Sequence, residues 1–173
     1  MFPVSFKIAP RFLTATLVGG LALACLPASA RDSLGLYEGW GAFRDPMVPR
    51  CYAIAKAAPS TQWRDYQPFV AIGTWPRRGR RNQLHFRVSR KMARDATITL
   101  KLGDQRFRLT GGGGDAWPAD DRDNAAIIAA MRSAKRMTLS TKGLKGGNFS
   151  NTWELAGAAS AIDAALLGCA RLR

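Results

Sequence analysis

Residues 97–109 read Thr-Ile-Thr-Leu-Lys-Leu-Gly-Asp-Gln-Arg-Phe-Arg-Leu, and this stretch decides the fold class. Ile98, Leu100 and Leu102 alternate with Thr97, Thr99 and Lys101; beyond Gly103-Asp104, Phe107 and Leu109 alternate with Arg106 and Arg108. A period of two marks a strand with one buried and one wet face, and the Gly-Asp pair between the runs is a hairpin turn signal. The same period recurs on both sides. Leu84, Phe86 and Val88 oppose His85, Arg87 and Ser89; Met137 and Leu139 oppose Thr138 and Ser140; Phe149, Trp153 and Leu155 oppose Ser150, Thr152 and Glu154. Residues 51–58 and 68–75 are apolar on both pleat faces, as central strands covered from both sides would be, and a polar loop at 59–67 joins them. An early strand from Tyr37 to Phe43 completes the set. The pattern predicts a mainly β chain, an antiparallel β-sandwich of about seven to nine short strands.

Two helices interrupt the alternation. Asp120, Asp121 and Asp123 precede the run at 125–134, with Lys135 and Arg136 after it, so capping and helix dipole agree. Ile127, Ile128, Met131 and Ala134 form its core face. The second helix follows Gly157, and Ala158, Ala161, Ile162, Ala165, Leu166 and Cys169 make a buried stripe at helical spacing.

The N-terminus reads as an address. Lys7 and Arg11 precede an apolar run from Phe12 to Leu26, then Pro27 and the small residues Ala28, Ser29 and Ala30, which is the layout of a secretory signal peptide cleaved after Ala30. The run is short for a membrane span and contains Gly19 and Gly20. A lipoprotein signal ending at Cys25 is a poorer match, because Ala22 and Leu23 stand in the wrong order. The expected organisation is a signal at 1–30 and one domain at 31–173, placed in the periplasm or secreted. Export leaves Cys51 and Cys169 as the only thiols in an oxidising compartment, and they should form one disulfide. It would close a loop of roughly 120 residues, worth about 4–5 kcal/mol in the chain-entropy account.

The whole chain has 173 residues, 47% of them apolar, 26 Lys+Arg against 12 Asp+Glu, and one His. That composition excludes a disordered tail and a polytopic membrane protein, and it leaves too few His and Cys for a zinc cluster or a haem attachment. No metal or cofactor is expected. Removal of 1–30 takes only Lys7 and Arg11, so 24 basic residues still face 12 acidic ones in the mature chain. The excess belongs to the folded part.

Catalysis is hard to assemble from these residues. His85 has Arg87 and Ser89 beside it on the wet strand face and no carboxylate nearby in sequence, so a hydrolase using His85 is the weakest reading. Asp115, Asp120, Asp121 and Asp123 lack the Gly and Glu of a calcium loop and suit helix capping instead. Residues 111–114 are four glycines without the Lys-Ser or Lys-Thr of a phosphate loop, and 145–148 is a turn. The basic segment reaches further. Between Trp75 and Arg94 lie Arg77, Arg78, Arg80, Arg81, Arg87, Arg90, Lys91 and Arg94, with no Asp or Glu among them. Guanidinium forks suit phosphate and sulfate, so Arg77, Arg78, Arg80, Arg81 and Arg87 form a candidate anion site for an anionic envelope lipid or an acidic glycan. Nucleic acid is an improbable partner for an exported chain. The competing reading is a protein partner held by an apolar patch near Trp40, Trp63 or Trp117.

Several segments together resemble a family. Gly39-Trp40-Gly41-Ala42-Phe43, Cys51-Tyr52-Ala53-Ile54, Ile72-Gly73-Thr74-Trp75-Pro76, the helix at 124–134 and the Gly157-led alanine-rich ending resemble the invasion-associated locus B proteins of alphaproteobacteria. The resemblance implies a small exported, disulfide-containing β-sandwich without known catalysis, associated with the envelope and in some bacteria with host cells. The Arg77 to Arg81 run matches no feature of that family.

Overall fold

The computed structural model describes residues 31–170, so the signal segment and its cleavage lie outside the described residues. Ten antiparallel strands form one sheet in the order β1-β2-β3-β4-β5-β8-β7-β6-β9-β10. They are β1 (Asp32–Tyr37), β2 (Trp40–Asp45), β3 (Arg50–Lys56), β4 (Phe69–Trp75), β5 (Arg80–Arg87), β6 (Ile98–Leu102), β7 (Gln105–Gly112), β8 (Asp115–Pro118), β9 (Arg136–Lys142) and β10 (Asn148–Glu154). Helix α1 (Asp121–Met131) enters after β8, and α2 (Ala158–Cys169) closes the chain. The mainly β class with a C-terminal helix is as the alternation implies. The strand number comes to ten because the early strand divides at Glu38-Gly39 into a hairpin, Glu38 taking φ 52°, and because the glycine-rich loop feeds a four-residue strand, β8.

The sheet folds over on itself into a sandwich-like pair of layers. Phe86 on β5 meets Trp153 on β10 with ring centroids 5.5 Å apart, although five places separate those strands in the order. Trp40 on β2 donates its indole N–H to the Glu154 carbonyl at 2.9 Å, and Ala58 N–H reaches the Thr152 carbonyl at 2.7 Å. Each alternating residue set supplies the inside: Leu84 and Phe86, Ile98, Leu100 and Leu102, Met137 and Leu139, and Phe149 and Trp153 are all buried. Trp40 is 1% exposed, which removes it as a contact for a partner.

Helix α1 is capped by Asp120, whose carboxylate accepts from Asp123 N–H at 2.7 Å, and it packs against β5, β6 and β8. Its side chain Asn124 continues the sheet. Because β8 pairs with β5 only at Phe86 and Arg87, the edge upstream is unpaired; Asn124 Oδ1 accepts from Leu84 N–H and its Nδ2 donates to Asn82 O, each at 2.9 Å. Helix α2 lays Ala158, Ala161, Ile162, Ala165 and Cys169 against β1 to β4, its small residues letting the backbones approach. Gly157 opens it in the left-handed region at φ 82°, where a Cβ would strike the Tyr37 carbonyl. Cys51 and Cys169 are joined, with Cα atoms 5.7 Å apart, so the disulfide pins α2 to a central strand.

Candidate functional site

The arginine run forms the tip of the β4–β5 hairpin. Pro76 fixes the backbone angle that opens a 3-10 turn over Pro76–Arg78, and Gly79 closes it at φ 63° with its N–H on the Pro76 carbonyl at 3.1 Å. Arg77 and Arg78 lie on that turn, Arg80 and Arg81 open β5, and all four are exposed. Among the described residues none of the four has a carboxylate within ion-pair distance. No ion pair neutralises them, so their positive field reaches solvent. A groove of about 570 Å³ beside Arg80 and Arg81 leads to α1, with Gln83, Asn124 and Asp121 on its walls.

Arg87 stands apart from the tip. It occupies the other end of β5, roughly 20 Å along the strand at the usual rise. Its guanidinium pairs with Asp115 at 3.2 Å and lies over the Tyr66 ring at 4.9 Å. The structure thus brings together four of the five candidate arginines.

His85 has the carboxylate that its sequence neighbours do not provide. Asp115 arrives on β8, one oxygen 2.8 Å from His85 Nε2 and the other on Arg87. The imidazole stacks on Trp117 at 5.3 Å and meets the Phe69 ring edge-on at 5.6 Å. Ser89, expected on the same wet face, is buried beyond the strand end, where its N–H donates to Asn151 Oδ1 at 2.9 Å. Among the described residues no Ser, Thr or Cys side chain hydrogen-bonds to His85, so the pair is an orienting dyad without a nucleophile in contact. The missed signal was geometric: Asp115 is 30 residues away and reaches His85 only through the β5–β8 pairing.

The outer faces of β3, β4 and β5 carry a shallow bowl of about 520 Å³. Ala71 and Gly73 make its floor, and Tyr52, Phe69, Trp75, His85 and Trp117 supply rings around it, so the second apolar face of β3 and β4 is open rather than covered by a further layer. A Cβ on Gly73 would sit 2.5 Å from the Trp75 indole, so glycine there is what lets that ring lie flat on the sheet. Arg50 stacks over Tyr52 at 5.0 Å and is tethered to Asp45 at 3.3 Å. The Asp45 carboxyl is held below its ordinary range by Val48 N–H first, against an opposing effect of burial, with Arg50 lowering it further.

The remaining candidates fall elsewhere. Asp120 and Asp123 serve the α1 cap, and among the described residues no three His, Cys, Asp or Glu side chains cluster closely enough to hold a metal. Gly111 and Gly112 end β7, and residues 145–147 turn into β10. Trp63 is 54% exposed between Lys145, 4.5 Å from its ring, and Arg90, at 5.8 Å; Trp117 is 40% exposed. No described helix is long and apolar enough to cross a membrane. The disulfide fits an oxidising compartment, extracellular or periplasmic.

Comparison with protein-family models and with curated proteins finds no match at the level of sequence. Comparison with solved structures does: the chain is similar to invasion associated protein B from Bartonella henselae, at 12% identity and a TM-score of 0.55, over 80% of this chain and 97% of that one. At that identity the shared property is the fold. The chain has the fold of an invasion associated protein B, which is the resemblance its sequence segments suggest.

Proposed function

We propose that this is an exported, non-catalytic envelope protein of the invasion-associated B type that binds anionic groups, the phosphates or sulfates of envelope and surface glycans, through Arg77, Arg78, Arg80 and Arg81. The observation that carries the reading is the hairpin tip itself: four exposed arginines on the turn and the start of β5, with no carboxylate paired to them among the described residues. Unpaired arginines packed together repel one another, and a multivalent anion relieves that repulsion while gaining bidentate hydrogen bonds. Arg87 is left out of the ligand set, since Asp115 already neutralises it. The signal at 1–30 and a single mature domain at 31–173 belong to the same proposal, supported by the residue pattern and by the disulfide.

The test is binding of the mature protein to immobilised heparin and to lipopolysaccharide, beside a variant with all four arginines changed to glutamine. The variant keeps the thermal melt and loses binding at physiological salt. Equal binding by the two proteins assigns the ligand to another surface. A protein-partner reading draws on Trp63 and Trp117, both exposed, and predicts capture that persists at high salt.

A further inference from the structure

The bowl beside the arginine tip selects what the arginines hold. We infer that it is a sugar-ring subsite, and that the ligand is an acidic oligosaccharide whose rings lie in the bowl while its sulfate, phosphate or carboxylate groups reach the hairpin. This rests on the anion-binding reading of the tip. The two features are joined through Trp75, which is the last residue of β4, a bowl ring, and the cross-strand partner of Arg80.

Three observations point to a sugar. The floor is small at Ala71, a poor strand former where a half-exposed strand face ordinarily carries a β-branched or aromatic residue, and Gly73 beside it lies under the Trp75 ring. The rim is aromatic, and the rings are held before any ligand arrives. Trp75 lies flat over Gly73, and His85 is clamped between Asp115 and the Trp117 indole. Flat aromatic faces at low conformational cost suit the flat C–H faces of a pyranose ring. Polar groups converge on the same space, with the Gln83 amide on one side and the Arg50 guanidinium on the other. The Arg50 side chain is held in place by Asp45 through its Nη2. The unpaired cations at the hairpin fix the sign of the ligand's charge.

The experiment is titration calorimetry of the mature protein with a heparin-derived tetrasaccharide and, separately, with polyphosphate of similar charge. Three bowl variants are compared with wild type: Trp75→Ala, Trp117→Ala, and Ala71→Leu, which removes no ring and fills the floor. Each bowl variant weakens the tetrasaccharide by about tenfold while leaving polyphosphate within about twofold. Bowl variants that bind the tetrasaccharide like wild type, or that lose both ligands equally, overturn the sugar subsite. An uncharged monoacylglycerol displacing the tetrasaccharide overturns it in favour of an acyl-chain slot. Replacement of the four tip arginines by glutamine abolishes binding of both ligands; if polyphosphate binding survives that change, the anion-binding reading itself fails.

Discussion

Between residues 82 and 84 the edge of β5 faces no strand, and a single side chain closes the gap by presenting an acceptor and a donor at the spacing of a peptide group. Asn124 does this from α1, so the helix is tied to the sheet by two 2.9 Å bonds as well as by packing. Asn124→Ala leaves a half-buried Leu84 N–H unpaired and is expected to destabilise the protein by about 1–3 kcal/mol in urea unfolding, far more than loss of an ordinary surface amide. A change below a few tenths of a kcal/mol would mean that water replaces the side chain at no cost. Residue-scale roles of this kind were the least legible in the sequence. Asn124 reads as part of a helix start, Asp115 as one of several aspartates, and His85 as a wet-face residue; the partners of each come from strands or helices 30 or more positions away. The arginines of the tip were legible because Pro76 and Gly79 mark a turn locally, and a turn exposes what it carries.

At the scale of elements, the outer face of β6 and β7 sets like charges against each other. Lys101 is directly opposite Arg106, with Arg108 two residues further on the same face, and all three are exposed. Like charges in directly opposed positions weaken a strand pair, so Lys101→Glu is expected to stabilise the fold by roughly 0.2–1 kcal/mol through a new pair with Arg106. A thermal melt at low salt reads this directly, and an unchanged or lowered midpoint contradicts it. The elements that alternation identifies in sequence are those with one wet face, β5, β6, β7, β9 and β10, because period two survives wherever a sheet has water on one side. Alternation alone joins the β1–β2 hairpin into one strand. Gly35, Gly39 and Gly41 blur its alternation, and the turn falls on Glu38, a residue without turn preference that takes the left-handed region. β8 escaped notice because four residues after a glycine run offer no full period. The open outer face of β3 and β4 looks covered in the sequence, since periodicity does not separate a face under a second layer from one lined by aromatic rings.

Over the whole molecule, a disulfide, two helix-to-sheet contacts and a few ion pairs hold a sheet whose two ends close over one core. The pair Arg132–Asp163 links the end of α1 to α2 through bonds of 2.6 and 3.1 Å. The Arg132 hydrogen bond, with its charge, holds the Asp163 carboxyl below the ordinary range against slight burial, as Val48 N–H and Arg50 do for Asp45. A carboxyl lowered in the folded state stabilises at all pH above its unfolded value and loses that contribution as pH falls through the folded one. The melting temperature should therefore hold between about pH 7 and pH 5 and decline below about pH 4, and Asp163→Asn together with Asp45→Asn should flatten that decline while lowering the neutral value. An acid limb as steep in the double variant as in wild type would place the acid sensitivity elsewhere.

The excess charge of the chain raises the same question at this scale, whether it is concentrated into a site or spread as a solvated surface. Salt dependence separates the two, because each guanidinium that engages a condensed polyanion releases counterions and adds to the slope of log affinity against log salt. The most direct measurement is that slope for the mature protein on heparin, compared with the variant carrying glutamine at Arg77, Arg78, Arg80 and Arg81. A localised site predicts that the slope falls by about one for each arginine removed, with affinity lost accordingly. An unchanged slope would show that the polyanion is held by the diffuse charge of the surface, and would contradict the assignment of function to the hairpin tip.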